Sequence, residues 1–141
     1  MLGWVAENDP ALVKEIVDGG HEIASHGCGH IQPLLMTEDA FRHDVRRAKA
    51  MLEGLSGGPV LGYRAPNYSI DDRLRDTLYE EGYLYDASYH PFGLHDRYGK
   101  FSSPGRPVVP GLFEPREGRF EVEMPVLKVA GVPVPISGGA Y

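Results

Sequence analysis

Helical and extended segments alternate three times between residues 9 and 86, and this alternation constrains the fold more than any other property of the chain. Asp9-Pro10 is a helix start: a carboxylate at the N-cap and a proline at the first helical position, where its missing N–H costs nothing. Leu12, Val13, Ile16 and Val17 follow at helical spacing, and Gly19-Gly20 ends the segment. Thr37 opens a second helix with Phe41, Val45, Ala48, Met51, Leu52 and Leu55 on one face, stopped by Gly57-Gly58-Pro59. Ser69 is expected to cap a third, running through Leu74, Leu78 and Tyr79 to Gly82. Short strands are expected over 22–25, 60–63 and 83–86. Such alternation implies an α/β chain whose parallel strands are joined by crossover helices, in a sheet that is open or closed into a barrel. In those folds the chemistry sits at the C-terminal ends of the strands.

The rest of the chain is less regular. Residues 2–5 read as the tail of a buried strand. Beyond Ser88, Pro91, Pro104, Pro107, Pro110 and Pro115 are spread among glycines and aromatics, so 89–119 is expected to be an irregular, proline-rich insertion over one face. Phe120-Glu-Val-Glu alternates as a half-buried strand. Segments 126–129 and 132–136 suit short edge pieces, since their prolines exclude a central strand. No repeat of fixed period occurs.

Length and composition bound the class. The 141 residues suffice for one domain with a hydrophobic core, and 42% apolar with 24% charged residues is a globular composition. Net charge is −6, and Arg42, Arg46, Arg47 and Lys49 are interleaved with Asp39 and Asp44, which argues against a nucleic-acid partner. No apolar run approaches the roughly 20 residues of a transmembrane helix. No signal peptide is visible at the N-terminus, and the compartment is left open.

The chemistry is concentrated in two places. His26 and His30 are separated by Gly27, Cys28 and Gly29 and follow a strand end. Neutral imidazole is the commonest protein ligand for zinc and also suits iron, cobalt or nickel, so the pair is expected to hold a divalent metal, zinc first. A catalytic zinc normally takes three protein ligands, so two histidines are only part of such a site. Cys28, the one cysteine, excludes an internal disulfide; a third ligand or a nucleophile is one reading of it, and a small passive residue is the preferred one. His21, His43, His90 and His95 are read as structural. The second place is Gly62-Tyr63-Arg64-Ala65-Pro66-Asn67-Tyr68-Ser69. Pro66 forces Ala65 into extended backbone, leaving Arg64 at a strand end with a planar fork suited to a carboxylate. A surface salt bridge is the alternative use of that arginine.

Together, His26-Gly-Cys-Gly-His30 and Arg64-Ala-Pro-Asn-Tyr68, each after a short strand, resemble the polysaccharide deacetylase family, the NodB homology domain of the family 4 carbohydrate esterases. Gly20-His-Glu-Ile-Ala-Ser-His-Gly, Gly62-Tyr-Arg-Ala-Pro-Asn-Tyr-Ser-Ile and Tyr85-Asp-Ala-Ser are similar to a branch associated with exopolysaccharide export. The resemblance implies a partial, distorted (β/α)7 barrel across 1–141, a single domain that lacks parts at both ends. It implies metal-assisted hydrolysis of N-acetyl groups on a polysaccharide or oligosaccharide. His26 and His30 match its metal ligands, and Arg64 the arginine that orients a catalytic aspartate. Asn67 matches the position whose backbone N–H lines the oxyanion hole; Pro66 and Tyr68 shape the substrate groove. Asp86 falls near an acidic position of the family, but its surroundings depart from that motif and no role is assigned to it. The aspartate pair that supplies the base and the third metal ligand is expected before Leu2, and the histidine acting as acid beyond Tyr141. The chain alone is therefore expected to be weakly active or inactive. Two other readings stand beside this one: a non-catalytic carbohydrate-binding remnant using Tyr68, Tyr89, Phe92 and Tyr98, and a hydrolase of a non-sugar amide.

Overall fold

The computed structural model describes residues 1–91, 99, 101–129 and 132–135. Phe92, His95 and Tyr98 lie outside them. Four helices occur among the described residues: α1 Gly3–Asn8, α2 Pro10–Asp18, α3 Glu38–Ser56 and α4 Asp72–Glu80. The strands are β1 Gly62–Tyr63, β2 Tyr85–Asp86, β3 Arg106–Val109, β4 Leu112–Arg116, β5 Arg119–Val122, β6 Val126–Val129 and β7 Val132–Pro135.

The helices start where the sequence chemistry places them, with two corrections. The Asp9 side chain accepts from Leu12 N–H, and Thr37 Oγ1 from Ala40 N–H at 3.2 Å. Gly57, at φ 70°, ends α3 in the left-handed conformation glycine adopts without penalty. α4 is capped by Asp71, whose carboxylate accepts from Leu74 N–H at 2.9 Å, and not by Ser69. Ser69 is occupied elsewhere, its N–H on Pro66 O and its carbonyl accepting from Leu34 N–H. Residues 2–5, read as a strand tail, enter helix α1 instead. Gly3 and Trp4 N–H groups donate to the carbonyls of Gly27 and Cys28, and Ala6 N–H closes the first turn on Leu2 O.

Five strands form one sheet in the order β1-β2-β5-β4-β3. β1, β2 and β5 are mutually parallel, while β4 and β3 are added antiparallel. The strand expected over 22–25 is reduced to one parallel bridge, Ser25 to Tyr63, which extends the sheet beyond β1. The stretch expected to be an irregular insertion at 89–119 contains the β3–β4 hairpin. Pro107 is tolerated there because β3 is an edge strand, and Pro115 because it lies in the register irregularity between Phe113 and Arg116. β6 and β7 pair with each other in a separate two-stranded sheet.

Register assigns the two faces of the main sheet. Ser25, Tyr63, Asp86 and Glu121 are successive partners across the parallel strands, so their side chains leave on one face. That face meets the helices: Phe41 of α3 lies edge-on to Tyr63, and Tyr63 edge-on to Tyr83. Val45, Leu52, Leu74 and Leu78 complete the core, all fully buried. Arg42 and Arg46 of α3 also pair with Glu80 and Glu81 beside α4. Such exposed pairs contribute about 0–1 kcal/mol each, so apolar burial is the main bond between α3 and α4.

Candidate active site

Because side chains alternate along a strand, the residue after each member of the helix-facing row points to the opposite face. Ser25, Tyr63 and Asp86 are followed by His26, Arg64 and Ala87. These three line one open cleft of about 460 Å³, together with Met1, Leu2 and Tyr85. The cleft therefore lies at the C-terminal ends of the parallel strands.

His26 and Arg64 are tied together through the backbone. His26 Nδ1 lies 2.6 Å from the Arg64 carbonyl oxygen. A carbonyl only accepts, so Nδ1 carries the proton and the Nε2 lone pair is left available, the tautomer a metal ligand needs. Burial holds the imidazole below its ordinary pKa, against the opposing pull of the Arg64 carbonyl, and so favours the neutral form. The His30 ring stands edge-on to it, with centroids 5.0 Å apart. An ion at the usual ~2.1 Å from each nitrogen fits that spacing. Among the described residues, no group of three or more His, Cys, Asp or Glu side chains is arranged to hold a metal.

The loop that delivers His30 is held at several points. Asp44 of α3 accepts the Cys28 N–H with both carboxylate oxygens, at 3.2 and 3.1 Å, and α1 grips the Gly27 and Cys28 carbonyls. His30 itself sits at φ 58°, left-handed backbone uncommon for a residue with a side chain. Burial, then the Asp44 charge, push the Cys28 thiol up, and its Sγ donates to the Asp44 carbonyl at 3.6 Å. A thiol held protonated in this way fits the passive reading of Cys28.

Gly27 is the tightest point of the loop. Its φ is +75°, and a Cβ there would meet Asp44 Oδ2 at 2.7 Å. Gly27→Ala is expected to cost about 1–3 kcal/mol through strain and overpacking. It should also expose the Cys28 amide to exchange, which urea unfolding and hydrogen exchange would measure together. An alanine variant of parental stability would mean that Asp44 does not hold this loop.

The Arg64 turn is equally constrained. Arg64 Nε donates to the Ala87 carbonyl at 2.9 Å, which aims its exposed fork along the cleft edge. Pro66–Tyr68 is a 3-10 turn in which Asn67 (φ 53°, ψ 24°) and Tyr68 (φ 53°) are both left-handed. Asparagine tolerates that region; a tyrosine in it is an outlier, and such outliers cluster where structure over-determines the backbone for a purpose. Tyr68 is clamped by Ile70 and Gly99 N–H groups on its carbonyl and by His90 edge-on at 5.8 Å. Pro66 and Tyr68 are both buried, so they support the turn from beneath. His90 is 7% exposed, in keeping with its structural reading.

The sequence reading missed Glu121. Alternation in Phe120-Glu-Val-Glu has the right period, but the face is reversed: Glu121 is fully buried and Phe120 only half-buried. Asp86 is likewise buried on the helix-facing side, away from the cleft.

Residues 1–85 match the polysaccharide deacetylase family model. A peptidoglycan deacetylase of Helicobacter pylori is 32% identical over 86 residues, covering 61% of this chain and 29% of that protein. A peptidoglycan-N-acetylglucosamine deacetylase of Bacillus cereus is 30% identical over 83 residues, covering 59% and 38%. The chain thus spans about a third of the length of these relatives. Among solved structures, a polysaccharide deacetylase of Mycobacterium smegmatis superimposes with a TM-score of 0.65 at 28% identity, over 89% of this chain and 38% of that one. A CE4 family pseudoenzyme of Bacillus anthracis superimposes at 0.57 and 20% identity, over 58% and 29%, a likeness of fold alone. The mixed α/β architecture with its parallel strands is accordingly of the deacetylase-barrel kind.

Proposed function

Because this chain belongs to the polysaccharide deacetylase family, we propose that it serves the metal-dependent removal of N-acetyl groups from a carbohydrate polymer, by hydrolysis of a non-peptide amide. The observation that carries the reading is the convergence of His26, with its Nε2 available, on His30 and on the Arg64 turn at one end of the parallel strands. His26 and His30 are the residues to hold a divalent ion, zinc by ligand type. Such an ion, when bound, polarises an acetyl carbonyl and activates water.

The chain's own residues do the positioning. The Arg64 carbonyl fixes the His26 tautomer, while the Arg64 guanidinium, anchored by Nε on Ala87, keeps its terminal nitrogens toward a carboxylate. The left-handed Asn67 turn presents backbone N–H to an oxyanion, and Pro66 and Tyr68 hold that turn rigid. With two imidazoles and no third His, Cys, Asp or Glu grouped to hold an ion among the described residues, the chain by itself is a weak metal binder and a poor catalyst.

The test is zinc titration calorimetry with an acetate-release assay on an N-acetylated oligosaccharide. Chelator-sensitive zinc binding with slow acetate release is expected. Sugar binding indifferent to chelator would instead support a carbohydrate-binding module, and turnover of cyclic amides alone would move the substrate away from sugars.

A further inference from the structure

Two carboxyl groups lie in the middle of the sheet under α4. Asp86 on β2 and Glu121 on β5 are register partners on parallel neighbours, so both side chains leave the same face, and both are fully buried. One oxygen of each is satisfied: Asp86 Oδ1 accepts from the Ser88 hydroxyl at 2.6 Å, and Glu121 Oε1 from the Tyr89 N–H at 2.9 Å. The other oxygens, Asp86 Oδ2 and Glu121 Oε2, are buried with no hydrogen-bond donor among the described residues.

The surroundings do not neutralise two charges. From α4 the pair is faced by Arg75 and Tyr79, with Asp72 and Asp76 behind; from β1 by Tyr63, with Arg64 past its end. Arg75 Nη1 stands 3.6 Å from Glu121 Oε2, beyond hydrogen-bonding range. The same nitrogen donates to the Ser103 carbonyl, and Nη2 is committed to Asp72 at 2.6 Å. One guanidinium already shared with Asp72 leaves a buried negative charge in excess, and a buried carboxylate in that position takes up a proton. Burial pushes both acids up, and the Asp86 charge adds to the effect on Glu121.

We propose that Asp86 and Glu121 hold one proton between them at neutral pH, carried by Glu121 and donated from its Oε2 to Asp86 Oδ2, and that this pair positions the Arg64 turn through Ser88. A single proton satisfies both orphan oxygens. It belongs on Glu121 because Asp86 keeps the short, charge-assisted bond from Ser88. Ser88 is the relay: with its hydrogen fixed on Asp86, its oxygen accepts the Ala65 N–H at 2.8 Å. Ala65 lies between Arg64 and Pro66, so the ionised partner of the pair sets where the turn begins. The shared proton concerns the fold's own groups and stands whether or not the chain acts on acetylated sugars.

Carbon-13 NMR of side-chain carboxyls across pH 4–9 tests the proton directly. Glu121 is expected to stay protonated at pH 7 with Asp86 ionised, and the Ala65 amide shift should follow the Asp86 titration. In Glu121→Gln, whose amide donates to Asp86 in place of the proton, the Asp86 midpoint should fall toward its ordinary value. Both acids bind more protons folded than unfolded above about pH 4, so the linked stability is present near that pH and lost as pH rises. The urea midpoint should therefore drop between pH 5 and 8 in the parent and stay flatter in Glu121→Gln; Asp86→Asn makes the same test from the other side. Both carboxyls fully ionised at pH 6, or an equal drop in the variants, overturns the shared proton. An Ala65 amide equally protected in Ser88→Ala, or indifferent to pH while Asp86 titrates, overturns the positioning role.

Discussion

Phe41→Ala is expected to lower unfolding free energy by about 3–5 kcal/mol, the range for emptying a fully buried aromatic site. Phe41 is fully buried on α3, and its ring lies 6.0 Å from that of Tyr63 at 80°. Tyr63 in turn meets Tyr83 at 5.7 Å. The three rings join the second helix, the first parallel strand and the approach to the second, so the cavity would open where neighbours cannot easily collapse. Against a typical total of about 5–15 kcal/mol, the loss is enough to populate unfolded chain. Urea unfolding at fixed pH measures it, with Arg46→Ala as a surface comparison expected to change stability by about 0–1 kcal/mol. A Phe41→Ala loss no larger than the Arg46→Ala loss would mean that α3 does not pack on the sheet as described.

His26→Ala is expected to weaken zinc binding on the order of 100-fold or more, since removing even an outer partner of a metal ligand costs about 10–100-fold. The side chain is one of two imidazoles 5.0 Å apart, and its orientation is fixed by the Arg64 carbonyl. Calorimetric titration of parent and variant gives the ratio. His43→Ala, on the exposed side of α3, should leave affinity unchanged and so separates site loss from fewer histidines overall. Equal zinc affinity in parent and His26→Ala would remove the pair from any metal site.

What was legible in the sequence follows from the strength of local signals. α2 and α3 carry 3.6-residue periodicity over two or more turns together with a side-chain cap and a glycine stop, and they appear where those signals lie. The parallel strands are only two residues long, too short for period-2 alternation to register, and they were legible as the ends of helical segments. Residues 2–5 misled because a short apolar run suits a strand and a buried helical turn equally; hydrogen bonds to Gly27 and Cys28, distant in sequence, decide the matter. Five prolines hid the hairpin, since nothing local shows that Pro107 falls on an edge strand. Within the candidate site, His26, His30 and Arg64 were visible through residue type and position after strands. The partnership of Asp86 with Glu121 was not, because it depends on the pairing of strands 35 residues apart in sequence.

One glycine determines which way this site faces. A side chain at residue 62 would run into the Tyr85 ring, its Cβ 2.1 Å from Cζ, whereas glycine lets the ring lie across the strand. Sliding β1 by one residue would bring Leu61 or Tyr63 against that ring, where neither fits. The same slide would turn Arg64 under the helices and Tyr63 into the cleft, exchanging inside for outside. Two-residue strands have too few ladder bonds to prevent this themselves. Gly62 and Tyr85 act as a lock and its key, through which only the alignment that presents His26 and Arg64 together can close.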